Sequence, residues 1–287
     1  MNTLKTGLLL IALTALFVWI GKLVGGQSGM LIAFGLALVM NGVSYWFSDK
    51  IVLRMSGARP LDEAQAPGLY QQVEELTRTA GLPMPQLYVM ENAMPNAFAT
   101  GRDPQHAAVA VTTGLLHLLD RREVRGVLAH ELAHIKNRDI LISTLAATVA
   151  GAVMLLADFA RMAAWFGIGR TSDDDESGGI LGLLVAMIVA PIAAMIIQMA
   201  ISRSREYLAD ATGARFSGDP LALASALQRL EAGNALAPAA VRPSTAPLYI
   251  VNPLHGGIMG LFSTHPPIPE RVKRLEAMAQ HPNLVLR

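Results

Sequence analysis

No cysteine occurs among the 287 residues, which removes disulfide frameworks, thiolate metal ligands and thiol nucleophiles together. Any bound metal must then be held by His, Asp or Glu. Charge is scarce as well: 16% of the residues are Asp, Glu, Lys or Arg, where soluble domains carry roughly a quarter. With 52% of the chain hydrophobic, a membrane class is favoured. The net charge is +1, and no dense Lys/Arg cluster lies beside stacking aromatics, so nucleic acid is not an expected partner.

What the chain does have is apolar length. Four segments approach the roughly 20 residues that a spanning helix needs: about 6–26, 28–47, 140–157 and 180–202. Buried core helices are the alternative, and it stays most open for the shortest, 140–157. Segment 6–26 has the Lys5 flank of a signal peptide, but no small-residue cleavage pattern follows near Val24-Gly25-Gly26 and a second apolar run comes almost at once. It reads as a retained anchor. Under a four-span arrangement Lys5, Lys50, Arg54, Arg59, Lys136, Arg138, Arg203 and Arg205 fall on one side, against Lys22, Arg161 and Arg170 on the other. The excess of cationic flanks puts the first side, with both termini, in the cytoplasm. The organisation expected is a hairpin over 1–48, half of a soluble domain over 49–139, a second hairpin over 140–202, and the other half over 203–287.

Within the soluble halves the pattern predicts a helix over 64–80 with Pro67 in its first turn, then short strands over 86–90, 96–100 and 107–112 separated by Pro, Asn and Gly. Asp120 and Glu123 form an Asp variant of a capping box for a helix reaching about Asn137. Helices are predicted over 203–216, over 219–233 with Asp at the N-cap and Pro at N1, and over 269–280. Between the last two, 234–268 is long and rich in Pro and Gly, as functional or mobile loops are.

The chemistry concentrates at HELAHIKNRD, residues 130–139. His130 and His134 are four apart, so a helix projects both imidazoles from one face and lets them share an ion. Glu131 sits beside that ion without coordinating it, where its carboxylate can take a proton from an activated water. HExxH alone is only moderately rare, so context has to decide. Val127, Leu128, Leu132 and Ile135 give the helix packing faces, and Glu206 in SRSREYLAD offers a third ligand; His2Glu is a known zinc set. Asp210, four residues on, shares Glu206's face and is placed to hold a ligand histidine through its second ring nitrogen. A lone Glu between arginines would otherwise read as a surface ion pair, and it is the pairing with HExxH that reverses this.

HELAHIKNRD, SRSREYLAD, NAFATG and STHPPIPERVKRL, in this order and with hairpins around them, resemble the HtpX membrane metalloproteases, relatives of the zinc-dependent CAAX prenyl proteases. The resemblance implies an inner-membrane zinc endopeptidase facing the cytoplasm, tied to stress response and to disposal of damaged membrane proteins. It implies one Zn2+ per chain on His130, His134 and Glu206, with Glu131 catalytic. It also brings the HPP segment near the metal, making His265 a candidate oxyanion donor; a His before two prolines is otherwise a loop residue. Arg271 could orient Asp210 or Glu206, or lie on a solvated helix face. Peptide substrates of such enzymes add as a strand to a sheet edge, and NAFAT is the expected edge, with Asn96, Ala97 and Phe98 at the substrate; for Phe98 a core position is the alternative.

The fold class expected is therefore α+β and mostly α: a polytopic membrane protein with four transmembrane helices and a cytoplasmic, gluzincin-like zinc protease domain holding a small β-sheet. Its expected partners are membrane-protein and unfolded polypeptide substrates and the lipid bilayer. Two other readings fit an HExxH motif in a membrane chain. An intramembrane site-2-type protease would put HExxH inside a span, but DRREVR and KNRD flank it and are too charged for the bilayer centre. A non-enzymatic scaffold with a chance HExxH would bind no metal. His134 precedes Ile140 by six residues, about 9 Å of helix, and Glu206 follows Ile201 by five, about 7.5 Å. The metal is thus expected just above the bilayer, with the second hairpin helping to set the ligand spacing.

Overall fold

The structure, a computed structural model, describes residues 2–145, 203–236, 250 and 266–281. Beyond 140–145, the expected spans at 140–157 and 180–202 lie outside the described residues, and so does His265.

Helix α1 runs Asn2–Met55, but it is not one rod. Gly26 has φ 59°, a left-handed value that glycine adopts without steric penalty, and the chain reverses there. A straight helix would separate residues 10 and 41 by about 46 Å. Instead Asn41 Nδ2 donates to Thr14 Oγ1 at 2.8 Å and to the Leu10 carbonyl at 3.3 Å, so the two arms lie against each other. The second arm, Gly26–Met55, is long and apolar enough to cross a membrane, the one helix of that kind among the described residues. It leaves Leu31, Ile32, Leu36, Leu38 and Val39 exposed. At its far end the helix outruns the apolar stretch expected at 28–47, and there Val52 and Leu53 turn inward against Met90, Phe98, Ala108 and Ala110.

Those residues belong to a four-stranded mixed sheet of β1 (Arg59–Pro60), β2 (Gln86–Met90), β3 (Ala97–Gly101) and β4 (Ala107–Thr112). Its spatial order is β1-β2-β4-β3, with β2 parallel to β4 and the other two pairings antiparallel. Alternation along the strands splits their side chains between two clusters. Phe98, Ala108 and Ala110 face α1, while Ala97, Ala99, Val109 and Val111 face the main core.

That core is helical. Helix α2 (Pro67–Ala80) starts with Pro in its first turn as predicted, and α3 (Thr113–Leu118) is a short helix capped by Thr112. Helix α4 (Arg121–Lys136) carries the HExxH residues and begins at the predicted capping box: Glu123 N donates to Asp120 Oδ1 at 2.8 Å and Asp120 N to Glu123 Oε2 at 2.9 Å. Helices α5 (Arg203–Ser217), α6 (Pro220–Leu236) and α7 (Ile268–Gln280) complete the domain. The capping carboxylate does more than end a helix, because Ser225 Oγ (2.6 Å) and Arg229 Nη1 (2.7 Å) of α6 also donate to Glu123. Val127, Leu128, Leu132 and Ile135 of α4 are all buried, so the HExxH helix is the centre of the domain and not a surface element.

Candidate metal centre

His130 and His134 lie one turn apart on α4, their rings edge to face, with Nε2 atoms 3.2 Å from each other. Glu206 comes from α5, its Oε2 3.8 Å from His130 Nε2 and its Oε1 3.7 Å from His134 Nε2. One ligand atom from each of the three lies within 4.8 Å of the others. The approach of α5 that allows this is fixed by Gly213, seven residues and two turns after Glu206. A methyl group there would lie 2.8 Å from His130 N and 2.9 Å from Ala129 C, inside van der Waals contact, so only glycine lets the two backbones come this close. The ligand spacing thus has one source within the helix pair; the second hairpin, expected to help set it, lies outside the described residues.

The outer nitrogens of both imidazoles face carboxylates. Asp210 Oδ1 lies 3.0 Å from His130 Nδ1, as expected, and Asp139 Oδ1 hydrogen-bonds His134 Nδ1 at 3.1 Å. The second partner is one that sequence reasoning missed. With each Nδ1 as the protonated nitrogen, both Nε2 atoms are left as acceptors 3.2 Å apart, that of His130 also 3.4 Å from Arg271 Nη2, an arrangement that suits a cation beside them. Arg271, fully buried, holds Asp210 from behind through Nε to Oδ2 (2.8 Å) and Nη2 to Oδ1 (2.6 Å). It also reaches Glu206 Oε2 at 3.7 Å.

The charges in this pocket do not cancel on their own. Glu131, Glu206, Asp139 and Asp210 are all buried, against the buried guanidiniums of Arg205 and Arg271. With neutral histidines that leaves a formal charge of −2 among the described residues, which a divalent cation balances. Without one, protons must do so. Burial would lower the His134 pKa, but Asp139, Glu206 and Glu131 outweigh it and raise it to about 10. Burial pushes Glu131 up to about 7. Burial also opposes ionisation of Asp210, yet Arg271 and His130 hold it down at about 2. The donor set, the tautomers and the charge all fit a divalent metal.

Glu131 sits where the sheet edge meets this pocket, and Ala99 N of β3 donates to its Oε2 at 2.7 Å. Strand β3 is an edge strand, and the Ala99 bond shows which side is open. Backbone groups of alternate residues point the same way, so Ala97 and Ala99 present theirs away from β4. Asn96, just before the strand, is anchored within the fold. Its N–H donates to Thr112 Oγ1, its carbonyl accepts from Thr112 N, and its Oδ1 accepts from Ile250 N at 3.1 Å. The Ile250 carbonyl lies 3.4 Å from Arg271 Nη1, so Asn96 joins the sheet edge to the Arg271–Asp210 pair. Phe98 is in the core against α1, the alternative left open for it.

A model of peptidase family M48 matches residues 63–279. The chain belongs to peptidase family M48. Among its relatives, a protease HtpX homolog of Syntrophobacter fumaroxidans is 60% identical over 277 residues, covering 96% of this chain and 98% of that protein. One from Pyrococcus abyssi is 54% identical, with 98% of each covered. Among solved structures, S. mikatae Ste24p superposes with a TM-score of 0.51 at 19% identity, over 92% of this chain and 62% of that one, a likeness of fold. This M48 chain is accordingly a metalloprotease of the HtpX type. The family implies a metal cofactor, and His130, His134 and Glu206 form the group that could hold it among the described residues.

Proposed function

We propose that this M48 chain is a membrane-embedded zinc endopeptidase, with one Zn2+ held by His130, His134 and Glu206. The observation that carries the reading is the convergence of those ligands with Glu131 in a buried pocket of net negative charge, next to an edge strand. Zinc, when bound, supplies Lewis acidity toward a substrate carbonyl and toward water. Glu131 takes the proton of the attacking water and returns it to the leaving amine, and Ala99 N–H aims its carboxylate. Asp210 fixes the ring of His130, and Arg271 keeps Asp210 ionised. The substrate runs as a strand along β3, on the side where Ala97 offers its N–H and carbonyl, while Asn96 holds the edge in place through Ile250. His265 is retained as the second oxyanion donor.

The substrates proposed are damaged or misfolded membrane proteins and unfolded polypeptides, cleaved at the cytoplasmic face of the bacterial inner membrane as part of a stress response. The exposed apolar arm Gly26–Met55, running directly into the sheet that carries the substrate edge, supports work at the bilayer surface. The multi-pass, four-span arrangement with cytoplasmic termini rests on the Lys/Arg distribution, and a gluzincin-like domain on the HExxH plus Glu206 set. Cleavage of casein by purified Glu131→Gln protein tests the chemistry: zinc retained and cleavage reduced by several orders of magnitude is expected, whereas wild-type cleavage would reject the role of Glu131.

A further inference from the structure

Helix α4 ends two residues after its second histidine, and the way it ends matters for that histidine. Arg138 N donates to the Ile135 carbonyl at 3.2 Å and Asp139 N to the His134 carbonyl at 3.3 Å. Arg138 has φ 55°, the one positive φ of a non-glycine residue among those described. This is the Schellman arrangement, in which a left-handed residue after the cap lets the next residue fold back onto the last turn. The motif sets the side chain of that next residue against the side chain one turn earlier, commonly as an apolar contact. Here the two are Asp139 and His134.

We propose that Asp139 is the positioning residue for the second histidine: the left-handed turn at Arg138 folds it back so that its carboxylate fixes His134 as the Nδ1–H tautomer, with Nε2 facing the metal. The inference rests on the zinc reading above. Three observations carry it. Asp139 Oδ1 is 3.1 Å from His134 Nδ1. Asp139 is 2% exposed, and among the described residues its Oδ2 has no hydrogen-bond donor, an arrangement that a purely structural carboxylate would gain little from. Its own carbonyl accepts from Ser143 N at 3.3 Å, which starts the helical segment 140–145. Asp139 therefore stands between the ligand helix and the third apolar run. Glycine is the usual residue at the left-handed position, and its place is taken by Arg138 in a turn that the sequence alone does not announce.

The test uses full-length protein extracted from membranes, loaded with Zn2+ or Co2+. Asp139→Asn is expected to lose Zn2+ to a competing chelator with affinity reduced about 10–100-fold, and to shift the visible spectrum of the Co2+ form. Asp139→Glu should recover part of both. Arg138→Gly keeps the turn and should match wild type, while Arg138→Pro forbids positive φ and should weaken metal binding with Asp139 still present. Wild-type affinity and an unchanged Co2+ spectrum in Asp139→Asn, beside a zinc-binding wild type, overturn this inference alone. A wild type that retains no Zn2+ overturns the zinc reading and this inference with it. Should Asp139→Asn fail to fold, 15N-histidine NMR of the zinc-loaded wild type decides: a proton on His134 Nδ1 is expected, and its absence overturns the proposal.

Discussion

Arg271 closes on Asp210 as a fork on a fork, with Nε 2.8 Å from Oδ2 and Nη2 2.6 Å from Oδ1, and neither residue sees solvent to any extent. The pair joins α7, near the end of the chain, to the helix that supplies Glu206, 65 residues earlier in the sequence. Its guanidinium also faces Glu206 and the Ile250 carbonyl. One cation thus braces Asp210 beside His130, the Glu206 carboxylate and the segment tied through Asn96 to the β3 edge.

The first prediction follows from that burial. Removing one member of a buried pair leaves the other charged without compensation, at a cost of about 3–5 kcal/mol. Arg271→Met should lower the thermal unfolding midpoint sharply and weaken zinc retention. Arg271→Lys should rescue little, because an ammonium cannot match the two-pronged geometry. An Arg271→Lys protein with wild-type melting and metal retention would count against the brace.

Gly213 gives a second prediction, and one that separates spacing from ligand chemistry. Alanine there puts a methyl group against the His130 backbone, so α5 must back away and carry Glu206 with it. Gly213→Ala is expected to weaken zinc binding by at least tenfold and to destabilise by about 1–3 kcal/mol as overpacking does, even though no ligand is altered. Chelator competition reads the first effect and thermal unfolding the second. Unchanged affinity would mean that the helix pair tolerates separation and that the spacing is set elsewhere.

How far the sequence carries depends on whether the determining residues are near one another in the chain. The capping box at Asp120 and Glu123, the strands at 86–90 and 107–112, and the two histidines of α4 were legible because their signals span six residues or fewer. Strand β1 was not, being two residues with a proline whose strand character comes entirely from pairing with Tyr88 and Val89. Helix α3 is short as well, at six residues, and α6 continues past Gly233 to Leu236, an isolated glycine being only a weak stop signal. At the site, Glu206 was reachable from known ligand sets, while Asp139 was missed although it is only five residues from His134. Its role depends on a left-handed arginine, which local preference argues against. The Asn96 to Ile250 bond spans 154 residues, and no local pattern encodes it.

Metal loading should release protons, which gives a third prediction. In the metal-free site His134 is held protonated up to about pH 10: burial opposes the charge, but Asp139, Glu206 and Glu131 favour it more strongly. The stabilising effect of that proton is complete below the ordinary histidine range and fades as pH rises through about 10. Zinc needs the neutral ring, so at pH 7 the ion must displace the proton. Calorimetry of Zn2+ binding in buffers of differing ionisation enthalpy should therefore show release of about one proton or slightly more, the excess coming from Glu131, which titrates near 7 without metal. Apparent affinity should weaken as pH falls. Binding without proton release would contradict the charge balance described for the pocket.

The junction between α4 and the third apolar run yields the last prediction. Ile140, Ile142 and Leu145 are buried, as is Thr144, whose Oγ1 lies 3.0 Å from Thr100 Oγ1 at the end of β3. Ile140 thus belongs to the protease domain's core and Thr144 holds the end of β3, whatever the following residues do in a membrane. Two deletions bridged by a flexible Gly/Ser linker should behave differently. Removing 140–200 strips three buried aliphatic side chains, each contributing about 2–5 kcal/mol, and should abolish folding. Removing 146–200 keeps the Ile140 and Thr144 contacts and the Gly213 approach, so zinc affinity should stay within a few-fold of wild type and casein should still be cleaved, while cleavage of a membrane-inserted substrate is lost. If the shorter deletion also lost its zinc, the second hairpin and not the α4–α5 pair would be what fixes Glu206 opposite the histidines.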